Sequence, residues 1–533
     1  LIPRLALVPI MAVAGLAQAM SIAAPWNGQP QWWLQLLSLA VLAWTLERLR
    51  RNADSGSGTP RPSWRAGALA GWSFATAWLC GSTWWLFISM HTYGGLPAPL
   101  AAIATLALSA ALALYYALAA ALQVAWAPRR APARALLFAA LWTLAELLRN
   151  TWFTGFPWGA GGYAHLDGPL IGLARDIGVY GIGAVAAFVA ALCAAWLESL
   201  DGASWRRPAQ WLAPALGAAL LGWGGYTSHC LNNGCGAGHE AEARSAGRLR
   251  VALLQGNIPQ DEKFIPGGGV ATALRWYGEQ LQANQAPLVI TPETAIALLP
   301  AQLPPGYLDA IAARYASGTQ AAIVGLPLGQ GREYTNSVLA FAPGRAQPYR
   351  YDKHHLVPFG EFVPSMFRWF TDMMHIPLGD FRRGGLAQAR FEWQGQRIAP
   401  NICYEDLFGD EIGASFGDES TAPTVLLNVS NIAWFGDSIA IDQHEAISRM
   451  RALEFERPML RATNTGATVA IDHRGRVTHS LPRLTRGVLQ VEVEGRRGLT
   501  PYARWVSRFG LWPLWIGALA IAAAAALATR FRR

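Results

Sequence analysis

Runs of mostly apolar residues, long enough to span a bilayer, constrain this chain more than any other feature of its sequence. About 20 such residues in a helix cross about 30 Å of hydrocarbon. Runs of this kind lie near 4–22, 31–48, 65–88, 97–127, 133–150, 177–198 and 209–227, and an eighth lies at 511–529. The composition agrees, since 52% of the residues are hydrophobic, 14% are charged and 24 are tryptophan, a balance foreign to an ordinary soluble enzyme. The first span has no evident small-residue cleavage site and is expected to be retained.

Arginine placement predicts the orientation, because short loops rich in Lys and Arg stay on the cytoplasmic side. The connections "ERLRRNADSGSGTPRPSWR", "APRRAPAR" and "SWRRPAQ" and the terminal "RFRR" are basic, whereas "APWNGQP" and "HTYGGLPAP" carry no Lys or Arg. Both termini are then cytoplasmic, and the long segment between the seventh and eighth spans lies outside. The formal net charge of +9 follows from these topological arginines, so nucleic acid is not an expected partner. The predicted organisation is a seven-span domain over 1–229, an external domain over 246–496, and an eighth helix with a basic tail over 508–533.

The external domain has a different texture. Short strand-like runs such as "RLRVALLQG", "PLVITPE", "QAAIVGLPLG", "NSVLAFAPG", "RIAPNI", "TVLLNVSN", "PMLRATNTG", "ATVAIDHRG" and "GVLQVEVEG" alternate with polar stretches. Helix candidates sit among them at "GVATALRWYGEQLQANQ", "GYLDAIAARYASG" and "DQHEAISRMRALEFERP". This alternation predicts an α/β domain.

Five cysteines sort by location. Cys80 and Cys193 fall inside spans, where a small apolar filler is the plain reading. Cys230 and Cys235 flank a short polar loop in a compartment that permits disulfides, and a bridge between them stays open. Cys403, in "RIAPNICYEDLF", is left alone at the end of a strand. A packed structural cysteine competes with a nucleophile there. A nucleophile needs a base or a positive potential, and amides of a helix starting at "CYEDLFGDEIG" would favour the thiolate.

Two other strand ends supply partners. Glu293 follows the apolar run "PLVITP", where burial is expected to raise its carboxyl toward a working base. Lys353 lies in "YRYDKHHLVPFGEFVP" with Glu361 eight residues on. Glu405 is a further supporting carboxylate, and Asp406 reads equally as a charge complementing a helix N-terminus. Residues 362–381 crowd Phe362, Met366, Phe367, Trp369, Phe370, Met373 and Met374 into one stretch. A lipid-dipping lid and an ordinary core helix both fit it. His354, His355 and His444 lack metal-ligand spacing, so no metal or other cofactor is expected. "GGG" at 267–269 reads as a mobile loop.

These residues resemble the nitrilase superfamily of carbon–nitrogen hydrolases, whose Glu-Lys-Cys triad matches Glu293, Lys353 and Cys403. With its flanking spans the chain is similar to the bacterial apolipoprotein N-acyltransferase family, through "LLQGNIPQDEKF", "TPETAI", "YDKHHLVPFGEFVP", "NICYED", "VSNIAWFGDS" and "GLTPYAR". The resemblance implies a polytopic α-helical membrane domain plus an extra-cytoplasmic nitrilase-like α-β-β-α sandwich, in the bacterial inner membrane with the catalytic domain periplasmic. It implies that Cys403 takes a fatty acyl chain from a phospholipid as a thioester and passes it to the α-amino group of a lipoprotein's diacylglyceryl-cysteine. Glu293 would act as base, and Lys353 with the Tyr404 amide would receive the oxyanion. Glu361, Tyr404 and Glu405 match supporting positions; Phe264, Trp369, Phe370 and Trp434 would contact or cover substrate. A monomer is the expected working unit. Ile432, Phe264 and Thr291 depart from the family's usual aspartate, tryptophan and tryptophan. A membrane-tethered amidase, or a transporter with an external binding domain, remains as an alternative.

Overall fold

The computed structural model describes residues 4–54, 64–200, 212–233, 244–330, 333–362 and 381–531. These divide into two compact units, one built from Leu1–Trp84, Pro99–Cys235 and Leu511–Arg533, the other from Trp85–Ala98 and Gly236–Gly510.

The first unit is helical: α1 (Arg4–Ile22), α2 (Trp32–Asp54), α3 (Trp64–Thr83), α4 (Ala98–Trp126), α5 (Ala131–Thr151), α6 (Ala174–Leu200), α7 (Leu212–Asn233) and, last in the chain, α12 (Trp512–Arg530). Small residues set the approach of helix to helix. A Cβ on Gly15 would meet the Phe74 carbonyl oxygen at 2.1 Å, which locks α1 against α3. Trp78 stacks on Trp142, with ring centroids 5.4 Å apart, at the centre of this unit. Among the described residues, four helices combine the length and hydropathy needed to cross a membrane: 98–126, 131–154, 171–199 and 512–530. The expected span at 65–88 differs from the structure, because α3 stops at Thr83 and Trp85–Ala98 groups with the second unit. There Trp85 is buried, packs on Phe435 and donates its indole N–H to Gln443 at 3.1 Å.

The second unit is a sandwich of two six-stranded sheets. Its strands are β1 (Ser245–Gln255), β2 (Leu288–Ile290), β3 (Ala321–Gln330), β4 (Glu333–Phe341), β5 (Tyr349–Asp352), β6 (Phe391–Trp393), β7 (Gln396–Ile402), β8 (Val425–Ser430), β9 (Met459–Thr463), β10 (Val469–Ile471), β11 (Val477–Ser480) and β12 (Gly487–Arg496). One sheet runs β12-β1-β2-β3-β4-β5 and the other β11-β10-β9-β8-β7-β6. The pairs β1–β2, β2–β3, β7–β8 and β8–β9 are parallel.

Apolar residues on both faces of the inner strands explain the layering. Val251, Leu253, Ile290 and Ile323 of one sheet pack with Ile398, Val425, Leu427 and Leu460 of the other. Ala252, Leu254, Val289 and Val324 point the opposite way and bury Tyr277, Leu281, Ile311 and Tyr315 of helices α8 (Ala271–Ala283) and α9 (Tyr307–Tyr315). Helix α10 (Ala440–Phe455) packs with β9 of the second sheet, and α11 (Pro501–Phe509) packs with α10.

The parallel strands direct chain ends toward one edge, where open α/β sheets place their ligands. A close backbone approach fixes one of these ends. Pro292 crosses β3 so tightly that a Cβ on Gly325 would lie 2.2 Å from its carbonyl oxygen, and Gly325 N–H donates to Thr291 Oγ1 at 2.9 Å. Thr291 is thus a buried tie between strand end and sheet. Replacing Gly325 with Ala should leave the unit folded, lower its stability by about 1–3 kcal/mol and depress activity by displacing Glu293. Thermal melting together with an activity assay checks this.

Candidate active site

Three strand ends deliver the predicted triad. Glu293 lies just beyond β2, Lys353 directly follows β5, and Cys403 directly follows β7. Cys403 has φ +54°, a left-handed conformation that costs a non-glycine residue about 1–2 kcal/mol. Strain of this kind turns the thiol out of the line of the strand. The expected helix start is instead a 3₁₀ turn over Cys403–Leu407, followed by the short helix Gly409–Gly413.

Lys353 is 1% exposed and is held by carboxylates. Its Nζ donates to Glu361 Oε1 at 2.9 Å and to Glu293 Oε1 at 3.4 Å. Asn336, on β4, spans the same pair, donating from Nδ2 at 2.7 Å to Oε1 of both Glu293 and Glu361. The Asn431 backbone N–H, at the end of β8, donates to Glu293 Oε2 at 2.7 Å, and Val357 N–H donates to Glu361 Oε2 at 2.8 Å. Every oxygen of the two carboxylates therefore has a donor. Glu361 joins the triad as the second carboxylate on Lys353.

Glu405 and Asp406 lie beneath the nucleophile. Glu405 accepts from Ile402 N–H at 2.6 Å, from His354 N–H at 2.6 Å, from His355 N–H at 3.2 Å and from the Tyr351 hydroxyl at 3.0 Å. One carboxylate thus pins the chain carrying Lys353 to the chain carrying Cys403. Asp406 does not sit at an exposed helix start. It is fully buried, accepting from His444 Nε2 at 2.9 Å, from Arg461 Nη1 at 3.1 Å and from the Ser448 hydroxyl. His444 Nε2 also lies 3.1 Å from the Cys403 carbonyl oxygen, which gives that histidine a structural task.

Electrostatics assign the protons. Burial raises the Cys403 thiol to about 12, Glu293 adds to the rise, and Lys353 and Ser430 offset only part of it. For Glu293 burial works upward, but Lys353, Asn336, Lys263 and the Asn431 amide together hold the carboxyl below its ordinary value. Burial opposes the charge on Lys353, yet Glu361 and Glu293 outweigh it and keep the ammonium strongly protonated. The thiolate-favouring and carboxyl-raising shifts expected from sequence are therefore both reversed. The resting site is a neutral thiol, an ionised carboxylate and an ammonium, an arrangement in which the carboxylate can accept a proton from an attacking thiol.

The remaining candidates sort as follows. Phe264 is 43% exposed, its ring centroid lies 6.3 Å from that of Trp434, and Trp434 meets Tyr93 at 6.1 Å. Tyr404 is buried against Phe408. Ile432 is buried in the turn Ile432–Phe435. Trp369, Phe370 and the rest of residues 363–380, like Cys235 and the Cys230 side chain, lie outside the described residues, whereas Phe362 and Phe381 at the two ends of that segment are described. The glycines at 267–269 form part of a tight turn over Pro266–Val270 rather than an open loop. Sequence reasoning missed Asn336, Asn431 and Lys263. Lys263 Nζ donates to the Glu293 carbonyl oxygen at 3.3 Å. Its one sequence signal was its place in the "QGNIPQDEKF" stretch.

A Glu-Lys-Cys cluster at the strand ends of an α-β-β-α sandwich defines the carbon–nitrogen hydrolase class, and the model of the carbon–nitrogen hydrolase family matches residues 250–502. The model of the apolipoprotein N-acyltransferase N-terminal domain matches residues 14–192. An apolipoprotein N-acyltransferase of Verminephrobacter eiseniae is 58% identical, over 94% of this chain and 93% of that protein. Those of Ralstonia nicotianae and Bordetella bronchiseptica are 46% and 41% identical, over 89% and 97% of this chain and 86% and 96% of theirs. This chain belongs to the apolipoprotein N-acyltransferase family.

Two outcomes test the geometry. Asn336→Ala frees both carboxylates from their shared donor and should cut activity about 10- to 100-fold without unfolding the protein, as steady-state rates and melting curves would show. Glu405 is raised by burial to about 7 from 4.5. Its folded-state value lies above the unfolded one, so its contribution to stability is full below 4.5 and is lost as pH rises through about 7. Glu405→Gln should flatten the dependence of melting temperature on pH across that window.

Proposed function

We propose that this protein acylates the N-terminal amine of lipoproteins in two half-reactions through Cys403. In the first, the Sγ–H proton passes to Glu293 as sulfur attacks the ester carbonyl of a phospholipid. Lys353 and the Tyr404 amide take up the developing oxyanion. The ester C–O bond then breaks, the leaving oxygen takes the proton back from Glu293, and the lysophospholipid departs as an alcohol, which returns Glu293 to its ionised form. In the second, the α-amino group of a diacylglyceryl-cysteine gives a proton to Glu293 and attacks the thioester. Sulfur departs as the thiol, leaving an amide.

The observation that carries this reading is the meeting of Glu293, Lys353 and Glu361 around shared hydrogen bonds, at strand ends that also bear Cys403. Family membership favours transfer over the amidase and transporter readings. The apolar helices suit a membrane enzyme with lipid substrates. We further assign eight spans on the apolar runs, and a periplasmic catalytic unit and cytoplasmic termini on the arginine pattern of the connections. Phe264 and Trp434 supply an aromatic wall suited to an acyl chain.

Incubating the full-length protein with phospholipid vesicles should add one acyl mass to Cys403, seen by intact-mass spectrometry. The adduct should persist until a diacylglyceryl lipopeptide with a free amine is added, and it should be absent from Cys403→Ala. An adduct that water discharges as fast as the lipopeptide does would contradict transfer, and no adduct on the folded wild type would contradict the thioester.

A further inference from the structure

Lys263 is a second buried cation in the site, and the triad does not account for it. It is 2% exposed, yet Phe264 and Ile265 beside it are 43% and 51% exposed, so the chain turns the charged side chain inward and the apolar ones outward. Such an inversion is costly unless the ammonium is used.

The loop that carries it is built to hold that inversion. Asn464 bonds Ile258 through both its main-chain groups, at 3.0 and 2.8 Å, and Gln260 Oε1 accepts from Asn431 Nδ2 at 2.9 Å. Beyond Lys263 the turn folds back, with Ile265 and Gly269 N–H both donating to the Glu262 carbonyl at 2.8 and 3.1 Å. A Cβ on Gly269 would meet that carbonyl oxygen at 2.5 Å, so the fold-back needs glycine there.

The charge count explains what the ammonium is for. Glu361 and Glu293 lie against Lys353, Asp406 matches Arg461 at 3.1 Å, and Glu405 is occupied by Tyr351 and backbone donors. Lys263 makes one hydrogen bond among the described residues, to a neutral carbonyl, and the titratable groups that act on its ammonium are Glu293 and Cys403, of which Glu293 alone is charged at rest. With Lys263 charged, the two carboxylates Glu293 and Glu361 and the two ammoniums balance at rest. When Glu293 has accepted the thiol proton, the new negative charge sits on the tetrahedral oxygen, and the balance is kept. Without Lys263 the same buried step would run with a net negative charge, which low-dielectric surroundings make expensive.

Resting on the thioester route above, we propose that Lys263 is a charge-balancing positioning residue: its ammonium holds Glu293 ionised at rest and neutralises the site as the tetrahedral oxyanion forms. Burial lowers this lysine to about 8, with Glu293 and Cys403 opposing the drop, so it is charged at neutral pH and discharges above that value.

The test follows the rate of adduct formation on Cys403 in the full-length protein, using mixed phosphatidylethanolamine and phosphatidylglycerol vesicles, across that pH range. Lys263→Met should slow the step at saturating lipid by about tenfold or more, with half-saturation unchanged. Lys263→Arg should recover most of the rate and lack the decline above about pH 8 that the wild type shows. The inference is overturned if Lys263→Met tracks the wild type at every pH or loses only lipid affinity. It is also overturned if Lys263→Arg declines as the wild type does. If Lys263→Met does not fold, Lys263→Arg alone decides through its alkaline limb. Failure of the wild type itself to form an adduct would instead reject the thioester route.

Discussion

The rest of the catalytic unit is arranged around one buried ion cluster, in which Lys353 is shared by Glu293 and Glu361 and Asn336 bridges both carboxylates. An isolated ammonium at this depth would lose its proton, and an isolated carboxylate would gain one. Together they stay charged beside a thiol that stays neutral. Charge separation is thus stored before substrate arrives, and the chemical step needs one proton to move a short way. Buried ion clusters are weak sources of stability, so the cost must be met by the packed sheets on which the strand ends sit.

Two further carboxylates make that cluster rigid. Glu405 gathers donors from the ends of β5 and β7, and Asp406 ties the nucleophile turn to α10 and β9 through His444, Ser448 and Arg461. They lie two and three residues beyond Cys403 in the chain, so the sulfur is fixed by its own neighbours. Its left-handed backbone is held in place by contacts on either side.

Much of this was legible in the sequence where burial leaves a pattern. The nine runs read as strands are all strands, because inner strands buried on both faces write a continuous apolar signal and β12, buried on one face, writes an alternating one. β5, β6 and β11 escaped because each is a short strand at a sheet edge with exposed positions, whereas the equally short β2 and β10 are buried throughout. Glu293 and Cys403 were visible because each ends an apolar strand-like run, and Lys353 through the resemblance carried by "YDKHHLVPFGEFVP". Asn336, Asn431 and Lys263 were not, since their roles depend on which strands lie side by side. Nor was the grouping of Trp85–Ala98 with the catalytic unit, which depends on one indole meeting Phe435 and Gln443. The proton assignment also needed the structure: sequence shows that Glu293 is buried but not how many donors face it.

The central claim is that burial and, beside it, Glu293 keep Cys403 protonated at rest and that Glu293 takes its proton during attack, which a comparison of iodoacetamide alkylation in wild type and Glu293→Gln measures directly. Removing the carboxylate charge should speed alkylation of Cys403 at neutral pH while slowing acyl transfer, because the thiol ionises more easily but has lost its base. Alkylation of the wild type as fast as an ionised thiol, with Glu293→Gln slower in both reactions, would contradict it.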